Sequence, residues 1–151
     1  MKILLLGQTG QVGFELKRAF APLGQITAPT RDELDLLDEQ AVARYLQEHQ
    51  PALILNAAAY TAVDKAEEEP LVASRLNGGL PGQLAEYAQQ NKAALIHYSS
   101  DYVYTGTGRK PFDEQATTGP LSVYGKTKLD GDNAISASGC QHWIFRTSWV
   151  Y

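Results

Sequence analysis

The stretch Gly7-Gln8-Thr9-Gly10-Gln11-Val12-Gly13 follows a short apolar run at the start of the chain. Its three glycines are spaced G-x-x-G-x-x-G, between a predicted strand at 3–6 and a predicted helix at about 12–20. In that setting Gly7 permits a tight turn, Gly10 lets a pyrophosphate approach the backbone, and Gly13 lets the helix pack closely on the sheet. The helix N-terminus offers unpaired N–H groups to phosphates. The stretch predicts a dinucleotide-binding turn with contacts from Gly7, Gly10, Gln11, Val12 and Gly13; a purely structural turn is the alternative.

Short apolar runs alternate with longer amphipathic runs along the rest of the chain. Further strands are predicted at 24–28, 34–36, 52–55, 94–98 and 142–146. Helices are predicted at 38–49, at 71–91 with a break near Gly78-Gly79 and Pro81, and at 123–136. The alternation predicts an α/β fold with a doubly wound parallel sheet. The long irregular stretch at 104–121, which contains Gly108, is expected to be functional or mobile.

Composition limits the classes of function. The chain has 151 residues, of which 44% are hydrophobic, and a net charge of −4, which fits one domain with a real core. Without a long basic run, nucleic acid and anionic membranes are not expected as partners. Cys140 is the only cysteine, which fits a reducing cytoplasm. The first apolar run is too short for a signal peptide or a membrane span.

The last residues, Ser148-Trp149-Val150-Tyr151, come directly after the apolar run 143–145. No polar tail follows, whereas domains usually end in exposed polar segments. We therefore expect the chain to be the first part of a longer protein.

Tyr124 and Lys128 are four residues apart and share one face of the predicted helix. A fixed cation beside a phenol favours the phenolate and lowers the pKa of the phenol. Such a pair suits a site where a carbonyl oxygen gains a proton as a hydride arrives. Without further context, a solvated helix face is the favoured explanation of the spacing.

Thr30 and Arg31 follow the predicted second strand, where NAD-binding folds place groups that contact the adenosine ribose. Arg31 could pair with a 2′-phosphate, which favours NADPH. A solvated surface arginine is the alternative, and use of both NADPH and NADH remains open.

Several stretches together resemble the extended short-chain dehydrogenase/reductase superfamily. They are the glycine turn, Tyr124 with Lys128, Asn56-Ala57-Ala58-Ala59-Tyr60-Thr61 and Ser99-Ser100-Asp101-Tyr102-Val103-Tyr104. Within that superfamily, Thr61-Ala62-Val63-Asp64-Lys65-Ala66-Glu67 and Phe145-Arg146-Thr147-Ser148-Trp149-Val150-Tyr151 resemble the dTDP-4-dehydrorhamnose reductase family. The resemblance implies NADPH- or NADH-dependent reduction of the 4-keto group of a nucleotide sugar. It also implies a C-terminal substrate domain that this chain lacks, so that residues 1–151 alone would be inactive.

The same resemblance implies roles for individual residues. Ser100, Tyr124 and Lys128 would be catalytic: Ser100 would bond the substrate carbonyl or the tyrosine, Tyr124 would protonate the sugar oxygen, and Lys128 would hold the nicotinamide ribose. Asp35 and Leu36 would flank the adenine, and the backbone at Ala57, Ala58 and Ala59 would pass under the cofactor. Asp101, Tyr102 and Trp149 would contact the nucleotide sugar, although Asp101 could instead be a turn residue, and Tyr102 and Trp149 core aromatics.

Other interpretations stay open. An epimerase or dehydratase of the same superfamily is one rival, and a non-catalytic NADP-binding regulatory subunit is another. Glu15 matches a position linked to Mg²⁺ at a subunit contact in some relatives, so a metal and a homodimer are left open. His97 is expected to be a satisfied core histidine, and the acidic run Glu67-Glu68-Glu69 is expected to cap and solvate a helix start.

Overall fold

A parallel sheet lies at the centre of the computed structural model, which describes residues 1–107 and 111–150. Gly108 and Tyr151, quoted above, lie outside the described residues. Within them the strands are β1 (Lys2–Leu6), β2 (Gln25–Thr27), β3 (Leu53–Asn56), β4 (Ala94–Ser100) and β5 (Gln141–Thr147). All neighbours pair in parallel, in the spatial order β2-β1-β3-β4-β5. The predicted α/β doubly wound fold is confirmed.

Six helices flank this sheet in the same described part of the chain. They are α1 (Gln11–Phe20), α2 (Glu39–His49), α3 (Val63–Ala66), α4 (Pro70–Ser74), α5 (Leu80–Asn91) and α6 (Val123–Ser138). The break expected near Gly78 and Pro81 is a π-helical turn, Arg75–Gly79, that joins α4 to α5. Asp38 caps α2, because its carboxylate accepts from the Ala41 N–H at 2.9 Å.

Successive side chains of a strand point to opposite faces of the sheet, and in β1 both sets of side chains are apolar. Ile3 and Leu5 of β1 pack in a core cluster with Leu16 of α1. Leu4 and Leu6 face the opposite side, in a cluster that includes residues of α2, α5 and α6. Burial on both faces explains why β1 reads as a continuous apolar run.

The predicted strand at 34–36 is wrong. The segment forms turns, in which the Leu34 N–H donates to the Thr30 carbonyl and the Leu37 N–H donates to the Asp35 carboxylate at 2.9 Å. The short aspartate side chain satisfies the backbone locally, which competes with strand pairing. Leu34 is buried and Leu36 packs against the same core, so their apolar spacing reflects burial without a strand.

Strand order reverses at β1, because β2 lies on one side of it and β3 on the other. Ligands of doubly wound sheets bind at such a point, outside the carboxyl ends of the strands. Here the carboxyl ends of β1 and β3 are in contact, since the Ala57 N–H donates to the Leu6 carbonyl at 3.0 Å. No helix in the described part of the chain is long and apolar enough to cross a membrane.

Candidate active site

The glycine turn after β1 has the conformation that its sequence predicts. Gly7 has a φ of +84°, and a Cβ at that residue would lie 2.7 Å from backbone atoms of Ala57. A Cβ on Gly13 would lie 2.0 Å from the Gly7 carbonyl oxygen, so α1 contacts the turn through bare backbone. A Cβ on Gly10 would meet that oxygen at an ordinary 3.5 Å, so close packing alone does not demand glycine there.

The start of α1 has the features of a phosphate site. Its N-cap is Gly10, no side chain in the described residues caps it, and its first turn holds no acidic residue. The N–H groups of this turn, from Gln11, Val12 and Gly13, and the positive end of the helix dipole therefore remain available to an anion.

A cavity of about 740 Å³ opens beside this turn. Nine of the predicted cofactor residues line it: Gly7, Gly10, Thr30, Arg31, Asp35, Leu36, Ala57, Ala58 and Ala59. These residues come from four separate stretches of sequence, which the turns after β1, β2 and β3 bring together. The volume lies within the range of small-molecule and cofactor sites.

The sequence reasoning missed a polar cluster in the same cavity, formed by Tyr60, Lys65 and Glu69. The Tyr60 hydroxyl donates to the Glu69 carboxylate at 2.6 Å, and the Lys65 ammonium lies 3.0 Å from it. The hydrogen bond from Tyr60, and then that from Lys65, lower the pKa of the Glu69 carboxyl. The expectation that the acidic run only caps and solvates a helix start is therefore incomplete, because Glu69 also bonds Tyr60 and Lys65. The four-residue spacing of Lys65 and Glu69, which makes two side chains neighbours on a helix, could have predicted their ion pair.

Glu67 of the same acidic run also has a structural partner. Its carboxylate accepts from the Val123 N–H at 2.8 Å, at the first residue of α6. Ser122 caps the same helix, because its hydroxyl accepts from the Gly125 N–H at 3.0 Å. These two contacts fix the helix start that carries Tyr124.

Ser100 and Tyr124 lie close to each other, at the carboxyl end of β4 and the start of α6. Ser100 ends β4 and begins a 3₁₀ turn, Asp101–Val103, in which its hydroxyl accepts from the Tyr102 N–H at 3.2 Å. Burial raises the pKa of the Tyr124 phenol, a hydrogen bond with Ser100 acts to lower it, and the Asp101 charge raises it again. The Tyr102 ring meets the Tyr124 ring edge-on, with centroids 5.5 Å apart.

Lys128 does not act on Tyr124 as expected. In the described residues its ammonium donates to the Tyr98 carbonyl at 2.6 Å and lies 3.5 Å from Nε2 of His97. The side chain is 1% exposed, and burial lowers the pKa of Lys128 to about 8, against the opposing effect of Asp132. The predicted lowering of the Tyr124 pKa by Lys128 is therefore wrong in this structure. The long lysine side chain reaches β4, and burial dominates at the phenol.

His97 is the buried, hydrogen-bonded core histidine that the sequence predicts, with its Nδ1 3.1 Å from Nδ2 of Asn56. Asn77, in the π-helical turn, is a residue that the sequence reasoning missed. Its amide bonds the Tyr60 N–H at 2.8 Å, the Tyr60 carbonyl at 3.1 Å and the Thr127 hydroxyl at 3.2 Å. Asn77 thereby ties the loop after β3 to α6, and no local pattern in the sequence signals this.

The predicted sugar contacts Asp101, Tyr102 and Trp149 lie at or near the surface. Trp149 is 80% exposed and Tyr102 44% exposed, so neither is a core aromatic. Asp101 is exposed and accepts from the Ser100 hydroxyl at 3.3 Å. Their contacts with a sugar nucleotide stay predictions.

The sequence profile of the RmlD substrate binding domain matches residues 1–151, the whole chain. The chain belongs to this family. It is 47% identical, over 155 aligned residues, to dTDP-4-dehydrorhamnose reductase of Salmonella typhimurium; the alignment covers all of this chain and 52% of the relative. The chain thus spans about half the length of the curated relatives that it matches.

Solved structures of similar proteins share the fold of this RmlD-family chain. A dTDP-4-dehydrorhamnose reductase from Clostridium acetobutylicum superposes with a TM-score of 0.94 at 36% identity, over 100% of this chain and 54% of that one. The enzyme of the same name from Bacillus anthracis, solved in complex with NADP, has a TM-score of 0.92 at 31% identity, over 99% of this chain and 54% of that one.

Proposed function

We propose that residues 1–151 form the cofactor-binding and catalytic half of an NAD(P)H-dependent dTDP-4-dehydrorhamnose reductase, which reduces the 4-keto group of dTDP-4-dehydro-L-rhamnose to give dTDP-L-rhamnose. The observation that carries the proposal is the position of Tyr124 close enough to Ser100 for Ser100 to act on the pKa of the phenol, at the carboxyl edge of the sheet that also holds the glycine turn. The identity of about half of all positions to a named reductase supports the choice of substrate.

The residues present fit a dinucleotide. The uncapped start of α1 suits a pyrophosphate, and the cavity beside it has room for the adenosine half between Arg31 and the turn at Asp35 and Leu36. Ala57, Ala58 and Ala59 place small side chains where the cofactor would pass. When bound, the nicotinamide supplies the hydride. NADPH and NADH both remain candidates, and Arg31 favours NADPH.

Within this proposal, Tyr124 donates its phenolic proton to the sugar oxygen that becomes the 4-hydroxyl. Burial holds the phenol in its neutral form at neutral pH, which is the form that a general acid needs. Ser100 is assigned to the orientation of the phenol, and Lys128 is assigned to the nicotinamide ribose. Asp101, Tyr102 and Trp149 are assigned to the sugar nucleotide, and their exposure leaves them accessible to it.

The other wall of the sugar pocket is assigned to a C-terminal domain, so residues 1–151 alone should turn over little or no substrate. Glu15, the candidate magnesium position, is exposed and pairs with Arg18 at 3.0 Å. The described residues contain no group of three or more histidine, cysteine, aspartate or glutamate side chains that could hold a metal ion. A homodimer and a cytoplasmic location stay predictions.

The test is reduction by the full-length protein that carries this sequence. Oxidation of NADPH and NADH is followed with dTDP-4-dehydro-L-rhamnose and, in parallel, with UDP- and GDP-linked keto sugars. We expect turnover with the dTDP sugar. Turnover with another nucleotide sugar alone would contradict the substrate assignment, and cofactor binding without any turnover would favour the regulatory subunit.

A further inference from the structure

Lys128 and Asp132 are buried one turn apart on α6, and the proposed reaction gives a task only to the lysine. Each residue is 1% exposed. The Lys128 ammonium donates to the Tyr98 carbonyl at 2.6 Å and lies 3.5 Å from Nε2 of His97, and both of these neighbours are uncharged. Burial disfavours the charged form of a lysine. A lysine in this position therefore needs a compensating negative charge to stay protonated.

Asp132 supplies such a charge from the same helix. The two residues are four positions apart, so their side chains leave α6 on the same face. Burial lowers the pKa of Lys128 to about 8, and the charge of Asp132 acts in the opposite direction. At that pKa most molecules carry the ammonium at pH 7. Without the carboxylate the pKa of Lys128 would fall further, and the uncharged amine would accumulate near neutral pH.

Arg146 of β5 holds the Asp132 carboxylate in place. Nε of Arg146 donates to Oδ2 of Asp132 at 3.0 Å, and the same guanidinium donates to the Tyr104 hydroxyl at 3.0 Å. Oδ1 of Asp132 is buried and accepts no hydrogen bond within the described residues. A buried acceptor without a partner is uncommon and needs a physical reason. The positive charge of Lys128 one turn away provides one, because it stabilises the carboxylate through space.

The other groups around Lys128 do not offer it a negative charge. On β4, burial and the Lys128 charge hold the pKa of His97 well below its ordinary value, so its ring is neutral. On the 3₁₀ turn, Asp101 is exposed and its charge acts on Tyr124. Helix α6 also packs against α3, α4, α5 and the π-helical turn. The titratable residues of those elements are exposed or bonded elsewhere, namely Asp64, Lys65, Glu67, Arg75, Glu86 and Tyr87.

We propose that Asp132, held by Arg146, is a positioning residue that keeps Lys128 protonated for its contact with the nicotinamide ribose. An ammonium has three donors, so two remain for ribose hydroxyls when the Tyr98 carbonyl takes one. Lys128, Asp132 and Arg146 then form a row of alternating charge that runs from the candidate site to β5. The contact with the ribose rests on the proposed function, whereas the coupling between the two buried charges does not.

The first test needs no variant and no substrate. Carbon NMR of the full-length protein, labelled at lysine side chains and aspartate carboxyls, follows Lys128 and Asp132 in one pH titration. We expect the Lys128 signal to titrate near pH 8 and the Asp132 carboxyl signal to inflect at the same pH, because a neighbouring positive charge is lost there. Asp130, which is exposed on the same helix, is the internal control without that inflection. An Asp132 signal that stays flat through the Lys128 titration would overturn the proposal, whatever the outcome of the reductase assay.

The second test removes the charge of Asp132 and keeps the size of the side chain. In Asp132→Asn the Lys128 titration should move to lower pH by about half a unit or more, whereas Asp130→Asn should leave it in place. Asp132→Glu retains the charge and should keep the titration near that of the wild type. In an active protein, the alkaline limb of the pH profile of kcat/KM should move to lower pH in Asp132→Asn. A purely structural Asp132 would change stability alone, so an unchanged Lys128 titration in folded Asp132→Asn would overturn the proposal. If that variant does not fold, the Asp132 inflection in the wild type decides.

Discussion

The ammonium of Lys128 donates to the backbone carbonyl of Tyr98 at 2.6 Å, inside the protein and away from solvent. Tyr124 lies one turn earlier on the same helix, near Ser100. Helix α6 thus directs a phenol to the edge of the sheet and an amine to a strand beneath that edge. The buried amine and the glycine turn both have consequences for stability that can be measured.

Lys128→Met should change how stability depends on pH. Lys128 has a pKa of about 8 in the folded protein and an ordinary pKa of 10.5, so the unfolded chain binds more protons between these values. The free energy of unfolding of the wild type therefore gains from rising pH in that window. The variant should be more stable at pH 7, by on the order of 2 kcal/mol, and the gain should shrink toward pH 10.5.

Urea unfolding at pH 7, 8, 9 and 10 measures this difference. Lys126→Met, at an exposed position on the same helix, is the matched control. A difference between Lys128→Met and the wild type that stays constant with pH would show that Lys128 keeps its ordinary titration in the folded protein.

Alanine at Gly13 and at Gly10 should have different effects. The new Cβ of Gly13→Ala would lie 2.0 Å from the Gly7 carbonyl, so this variant should lose at least about 2 kcal/mol of stability. Gly10→Ala has room and should fold, but its methyl group would occupy the approach of a pyrophosphate. Calorimetry should show its affinity for NADPH reduced by roughly tenfold or more. Wild-type cofactor affinity in Gly10→Ala would contradict the proposed phosphate site.

Asp132→Asn should destabilise the protein far more than Glu15→Gln. Asp132 is buried and pairs with Arg146, which also donates to the Tyr104 hydroxyl at 3.0 Å. Loss of one member of a buried pair costs roughly 3–5 kcal/mol, and the partial exposure of Arg146 should reduce that to about 2 kcal/mol. Glu15 forms an exposed pair with Arg18, so its loss should cost less than about 0.5 kcal/mol. Thermal unfolding of both variants provides the comparison, and equal losses would be inconsistent with the buried pair.

Arg31→Ser tests the preference between the two cofactors. If Arg31 pairs with the 2′-phosphate, the KM for NADPH should rise roughly tenfold while that for NADH stays nearly constant. Arg44→Ser, an exposed arginine of α2, is the control. Equal effects on both cofactors would remove Arg31 from the recognition of the phosphate.

The parts of the fold that the sequence predicts are those set by local pattern. The apolar run of β1 and the spacing of Gly7 and Gly13 place the turn, because strand burial and close helix packing depend on neighbouring residues. The segment 34–36 was not predictable in the same way. There the Asp35 carboxylate satisfies the backbone and replaces a strand by a turn.

The site was predictable as a set of residues but not as a network. Helical spacing places Lys128 near Tyr124, yet spacing does not say where a long flexible side chain ends. The Tyr98 carbonyl and His97 are 30 and 31 residues away in sequence. The same holds for Asn77, whose bonds to Tyr60 and Thr127 join elements that only the tertiary fold brings together.

The central claim is that Tyr124 donates the proton while the glycine turn holds the cofactor, and Tyr124→Phe tests it most directly. Turnover of dTDP-4-dehydro-L-rhamnose by the full-length protein is compared with NADPH binding, with Tyr45→Phe on α2 as the control. We predict that kcat falls at least about a hundredfold while the dissociation constant of NADPH stays nearly unchanged. Wild-type kcat in Tyr124→Phe would contradict the account.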